Sequence, residues 1–304
     1  MKKYTGVWPT MVTAFNDDGS LDIKGNKEIA NKLIELGSHG LFAVCQSSEM
    51  FYLSLDEKVA LAKIALEASK GRVPVIASGH TSESIEDQIE ELQAIAQTGV
   101  EAVILVSNRL AKEDEGSEVL LKNLQRILDA LPDVKLGIYE CPYPYRRLLT
   151  NEEIKWITNV DRIVFLKDVS CSVDIQKDRV KIAKDSNLNL FNANTETLLD
   201  SLIMGYEGYN GVMGNFHIDI YKWLFENYKE EKEKARQIQE QLTQVGNIEK
   251  VSYPINAKYY LKSKGLDIGV FSRRMDASVF SKDELKKVEE LMKWEDKTRK
   301  DLGL

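Results

Sequence analysis

Short apolar runs alternate along this chain with longer stretches in which apolar residues return every third or fourth position. The first run, residues 6–15, is β-branched and apolar and ends in the turn cluster Asn16-Asp17-Asp18-Gly19-Ser20. Further runs lie at residues 41–45, 73–78, 102–106, 135–141, 163–166 and 188–192, and a glycine-rich one at 209–214. Between them the spacing predicts helices. One covers residues 21–36 (Ile23, Ile29, Leu33, Leu36) and stops at Gly37. A second starts at Ser54, whose partner Glu57 stands at capping-box spacing, and runs to Gly71. Others cover 84–98, 117–131, a stretch opened by Thr150 with Glu153 in the box position, 173–184, and 195–204 before Gly205. Most of the strand runs do not alternate, as expected of strands covered on both faces. Eight strand–helix beats predict parallel βαβ units and a closed (β/α)8 TIM barrel, an α/β fold. An open doubly wound sheet is the alternative, but no Gly-x-Gly-x-x-Gly turn follows the first strand.

After residue 217 the strand pattern stops. Residues 218–244 read as one or two helices, 255–264 as another, and Ser281 with Glu284 opens a charged helix to about residue 301. The chain is therefore expected to be a barrel over 1–217 with a C-terminal helical extension, 218–304, packed on it. The charge run 229–234 reads as a solvated helix face.

Composition narrows the function. The 304 residues carry 41 Lys+Arg against 48 Asp+Glu, a formal charge of −7, which argues against nucleic acid or an anionic membrane as partner. No apolar run approaches the ~18 residues of a membrane helix, and Met1-Lys2-Lys3 leads into the first strand without a signal-peptide core. The expectation is a cytoplasmic protein. The cysteines Cys45, Cys141 and Cys171 are too scattered for a disulfide framework or a metal site of Cys-x-x-Cys type; no metal and no cofactor are expected.

Active sites of such barrels sit at the C-terminal ends of the strands. All three cysteines fall there, as do His80, His217 and Arg109. Lys167 ends the run Ile163-Val164-Phe165-Leu166. A lysine there either loses its proton to desolvation and attacks a carbonyl, or pairs with a carboxylate. Tyr139 stands near the end of another strand run and is either a proton relay or a packed core tyrosine. Gln46, Ser47 and Ser48 form a turn that either cradles a carboxylate or merely caps itself.

In order and spacing these pieces resemble the dihydrodipicolinate synthase / N-acetylneuraminate lyase family of Schiff-base aldolases, over about residues 5–275. The resemblance is carried by Gly6-Val7-Trp8-Pro9-Thr10 through Phe15 with Asp17-Asp18-Gly19, by Cys45-Gln46-Ser47-Ser48-Glu49, and by Leu53-Ser54 with Glu57. Further on come Pro74-Val75-Ile76-Ala77, Tyr139-Glu140-Cys141-Pro142, Leu166-Lys167-Asp168 and the glycine-rich stretch 205–215. It implies a lyase in which Lys167 forms an iminium with pyruvate or a longer 2-keto acid and Tyr139 moves protons. Gln46, Ser47 and Ser48 would hold the substrate carboxylate, and Asn192, Glu196, Asn210 and Gly211 would complete the substrate site. It also implies a homo-oligomer, a tetramer or dimer.

Some positions depart from the synthase pattern. Ser107-Asn108-Arg109-Leu110 lacks the tyrosine that reaches a neighbouring subunit, and Pro144 stands at the arginine position, with Arg146 and Arg147 beyond. Cys45 and Ser47 replace a glycine and a threonine of the carboxylate motif. Asn192 and Glu196 instead fall near the Asn-Gly-Tyr-Asp-Glu segment of the sialic-acid lyases, with Thr195 before Glu196. The reading is thus an aldolase for a hydroxylated or sugar-derived 2-keto acid. The alternatives are the synthase reaction itself, pyruvate with aspartate semialdehyde, and a non-catalytic acid-binding barrel.

Overall fold

The computed structural model describes residues 4–304. Met1, Lys2 and Lys3, read above as lacking a signal-peptide core, lie outside the described residues.

Eight parallel strands form: β1 Gly6–Val7, β2 Leu41–Phe42, β3 Val75–Ala77, β4 Ala102–Val106, β5 Leu136–Tyr139, β6 Ile163–Asp168, β7 Asn189–Asn192 and β8 Gly208–Tyr209. Their order is β1-β8-β7-β6-β5-β4-β3-β2. The two outer strands meet through a parallel bridge between Thr10 and Phe42 and through the bonds Phe42 N to Pro9 O and Met11 N to Phe42 O. That contact closes the TIM barrel the apolar rhythm predicted.

Helices wrap the sheet: α1 Ile23–Glu35, α2 Leu55–Ser69, α3 Ile85–Ala96, α4 Ser107–Leu110, α5 Ser117–Ala130, α6 Asn151–Ile157, α7 Val173–Ala183 and α8 Leu198–Met204. Four more follow: α9 Ile218–Asn227, α10 Lys232–Val245, α11 Ile255–Ser263 and α12 Lys282–Leu302. Reciprocal capping boxes at Ser54/Glu57, Thr150/Glu153 and Ser281/Glu284 start α2, α6 and α12. Gly205, at φ 119°, ends α8 in a conformation that costs other residues a clash.

Side-chain alternation decides what faces inward. Trp8, Phe165 and Phe191 fill one level of the barrel, with Phe165 stacked on Phe191 at 4.2 Å between centroids. Gly137 fits beside them because a Cβ there would stand 2.5 Å from Ile104 and 2.9 Å from Phe165. Two residues on from Phe165 and from Gly137 come Lys167 and Tyr139, one level nearer the mouth and on the same inner face.

Several boundaries differ from the sequence expectation. The first strand is a two-residue ladder rather than 6–15, because Pro9 has no N–H to donate and the chain then turns to bond the Asn26 side chain at Ala14. The last strand ends at Tyr209, and Val212–Asn215 is a 3-10 turn in which Gly214 lies against Pro9. The α8 start slips to Leu198 because the Asn194 side-chain oxygen Oδ1 accepts the Thr197 N–H. Residues 229–234 are a solvated turn and the first residues of α10, not one helix face. The short α4 was not foreseen.

The later helices join the same apolar core as the barrel. Phe225 of α9 meets His39, whose Nδ1 accepts the Val7 N–H. Glu295 of α12 bonds His217, Tyr260 and Arg299. Lys258 of α11 reaches Glu49 at 2.6 Å, both side chains wholly buried.

Candidate active site

At the mouth, Lys167 is 4% exposed. Among the described residues its amine makes no hydrogen bond and no ion pair. It lies 4.4 Å above the Tyr139 ring centroid and 5.7 Å from that of Phe42. Burial depresses its pKa to about 8, partly offset by Cys45, Cys141 and Glu249. The carboxylate-paired lysine considered from position alone is not what the fold builds. The neighbouring carboxylate, Asp168, points the other way.

That outward face holds a closed cluster. Arg179 of α7 bonds Glu140 at 2.5 Å and Asp168 at 2.6 Å, all three wholly buried, and the Tyr206 hydroxyl donates to Asp168. Glu140 also accepts the Leu149 and Val169 N–H groups. Burial is the main cause of the raised Glu140 pKa, with Asp168 adding to it against Arg179. Glu140 and Asp168 follow Tyr139 and Lys167 directly in the chain. The cluster therefore fixes the ends of β5 and β6 on which the two inward groups stand.

Tyr139 donates to Gln46 Oε1 at 3.1 Å, and the Cys141 thiol to the same oxygen at 3.6 Å. Burial raises the Tyr139 pKa well above the ordinary phenol value and moves Cys141 to about 11. The Gln46–Ser48 turn divides its roles. The Ser48 hydroxyl is wholly buried against the Met11 and Ala43 carbonyls and accepts the Cys45 N–H, so it builds the turn. Ser47 donates to Thr10 Oγ1 at 3.0 Å. The backbone N–H groups of Gln46 and Ser47 donate to nothing among the described residues, leaving two donors in the turn whose Gln46 side chain binds Tyr139. A carboxylate is the ligand such paired amides favour.

The remaining expected residues separate. Asn192 is not at the mouth: opposite Asp168 in the ladder, it faces α8 and spends its amide on Thr197 and Ser201 and its carbonyl on Asn194 N. Asn210 is buried and holds the Trp8 carbonyl at 2.6 Å. Gly211 is a packing glycine, since a Cβ would stand 2.2 Å from the Tyr209 hydroxyl. Glu196 is exposed. All three cysteines are free; Cys45 and Cys141 are buried, and Cys171 is exposed within the field of Arg146, Glu249 and Glu196. Arg147 braces the carbonyls of Lys112 and Glu115, whereas Arg146 is exposed. His80 bonds Gln88 and the Val106 N–H, with its pKa lowered to about 4 by burial, and His217 is taken by Glu295. Among the described residues no group of three metal-ligating side chains forms.

Four more residues belong to the mouth. Thr10 and Tyr253 close a network with Ser47, and Asn215 bonds both the Thr10 carbonyl and the Tyr253 hydroxyl. Glu249, in a 3-10 turn over Gly246–Lys250, interacts with Lys167 and Glu196. Tyr253 and Glu249 come from the helical tail, where no strand end marks them in the sequence.

A parallel barrel with a buried, unpaired lysine and a tyrosine at its mouth fits an enzyme of lyase type, and the comparisons with known proteins agree. The chain belongs to the dihydrodipicolinate synthetase family, whose model matches residues 3–294. It is 24% identical to a 4-hydroxy-tetrahydrodipicolinate synthase of Methanothrix thermoacetophila over 70% of each chain. To YjhH of Escherichia coli K12, a probable 2-dehydro-3-deoxy-D-pentonate aldolase, it is 25% identical over 89% of this chain and 91% of the relative. The crystal structure of E. coli K12 YagE in complex with pyruvate superposes with a TM-score of 0.87 at 20% identity, covering 96% of this chain and 99% of YagE. Among the described residues no helix is long and apolar enough to cross a membrane.

Proposed function

We propose that the protein is a class I aldolase that cleaves, or in reverse forms, a 2-keto acid with a hydroxylated, sugar-derived tail through an iminium on Lys167. The observation that carries the proposal is a buried lysine amine without a partner, its pKa near 8, beside a tyrosine hydroxyl and two undonated backbone N–H groups. The neutral amine attacks the C2 carbonyl, and the carbinolamine loses water with a proton from Tyr139. The iminium then draws the C3–C4 bonding pair to nitrogen as an enamine, while the C4 hydroxyl returns its proton to Tyr139 and the aldehyde leaves. Protonation of the enamine carbon and hydrolysis release pyruvate and free the lysine. The N–H groups of Gln46 and Ser47 hold the carboxylate throughout, and Gln46 Oε1 holds the Tyr139 proton in the free enzyme.

Asn108 favours this over the synthase reaction. Its amide ties the carbonyls of Cys141, Tyr143 and Tyr145 at 2.6–2.9 Å, in the segment where the synthases carry their relay tyrosine. Incubation with 2-keto-3-deoxy sugar acids is expected to release pyruvate. Turnover only of pyruvate with aspartate semialdehyde would replace this reading by the synthase one.

A further inference from the structure

The turn over Gly246–Lys250 is held across the mouth at both ends. Gly246 sits on Thr195, with a Cβ there 3.7 Å from the threonine, and Asn256 Nδ2 binds the Ile248 carbonyl at 2.7 Å. A few residues on, Tyr253 reaches Asn215 and the Ser47–Thr10 pair. Glu249 hangs between these anchors, half-buried. Among the described residues it makes no hydrogen bond and no ion pair. Its charge acts on Lys167, Cys171, Tyr209 and Tyr253, and its own pKa is raised by burial first, against Lys250, with Glu196 adding to the rise.

A carboxylate can only accept hydrogen bonds, and one drawn out of water without donors gains most from a ligand that brings them. The independent pointer to a ligand here is Lys167, itself almost wholly buried, unpartnered and within the field of the same carboxylate. Once Lys167 has bound C2 of a keto acid, the carbons beyond C4 extend from it into the opening. Hydroxyls on those carbons supply donors. A phosphate or second carboxylate there would meet Glu249 and Glu196 as like charges.

We infer that Glu249 is a specificity residue that accepts hydrogen bonds from the distal hydroxyls of an uncharged polyhydroxyl tail. This rests on the aldolase reading above. The test compares cleavage of a 2-keto-3-deoxyhexonate with that of 4-hydroxy-2-oxobutyrate, which keeps the C4 hydroxyl and lacks the tail. In Glu249→Gln and Glu249→Ala the ratio of kcat/KM for the two is expected to fall at least ~10-fold, mostly through KM of the longer substrate. Glu249→Asp should restore part of it. An unchanged ratio in an enzyme that cleaves both would overturn the inference and leave the aldolase reading standing. Failure of the unsubstituted enzyme to trap pyruvate on borohydride reduction would overturn both. A fall shared equally by both substrates would make Glu249 a general support of Lys167 and also contradict the inference.

Discussion

At the scale of single residues, the proposed chemistry depends on where one lysine is put. At pH 7 a lysine of ordinary pKa is neutral in only ~0.03% of molecules, whereas one near pKa 8 is neutral in ~10%. Imine formation should therefore rise with pH and level off above about 8; stopped-flow rates across that range check it, and a flat profile would contradict it. The same burial costs stability. Because the folded pKa lies below the unfolded value, the unfolded chain binds the extra proton between about 8 and the ordinary lysine value of 10.5, so stability rises with pH across that window. At neutral pH, Lys167→Met should stabilise the protein by ~2–3 kcal/mol while abolishing turnover. A lower Tm in that variant would show that the lysine is better accommodated than its surroundings indicate. The place of Lys167 and Tyr139 at the mouth was legible because each stands at or near the end of an apolar strand run. Asn192 was misread because strand parity, which turns it toward α8, depends on the register of β7, and its short apolar run does not reveal that register.

At the scale of elements, β5 and β6 present Tyr139 and Lys167 inward and Glu140 and Asp168 outward, where Arg179 pairs with both carboxylates. Removing the guanidinium leaves two buried carboxylates without a counter-charge. Arg179→Met is expected to cost ~3–5 kcal/mol in denaturant unfolding, and the added changes Glu140→Gln and Asp168→Asn to recover part of it. A loss below ~1 kcal/mol would mean that water reaches the cluster. The capping boxes were readable residue by residue because a box is a local contact across three positions. The Arg179 cluster was not, since Arg179 pairs with residues 11 and 39 positions away once strand and helix are packed. The ends of β1 and β8 were overextended for a similar reason: Pro9 and the glycines of 208–214 end the ladder by backbone geometry, not by polarity.

At the scale of the whole molecule, the helical tail is part of the mouth as well as a cover for the barrel. Glu49 sits at φ 60°, a strained position for a side-chain-bearing residue, at the end of the turn that carries Gln46 and Ser47. Lys258, Ser272 and the Arg273 and Arg274 N–H groups from the tail all bond its carboxylate. Lys258→Met should thus destabilise the protein by ~3–5 kcal/mol and also raise KM for pyruvate, because the turn proposed to hold the substrate carboxylate loses its latch. Unchanged KM in the folded variant would separate the tail from the site. The barrel was legible from its eight apolar beats, whereas the tail's share in the site was not, because Glu249, Tyr253 and Lys258 stand in charged or helical stretches with ordinary surface composition. The most direct measurement is intact mass after incubation with pyruvate and borohydride, followed by peptide mapping. One reduced pyruvate adduct per chain, carried by Lys167 and absent from Lys167→Ala, is expected; no adduct, or one that survives in Lys167→Ala, would contradict a Schiff-base enzyme.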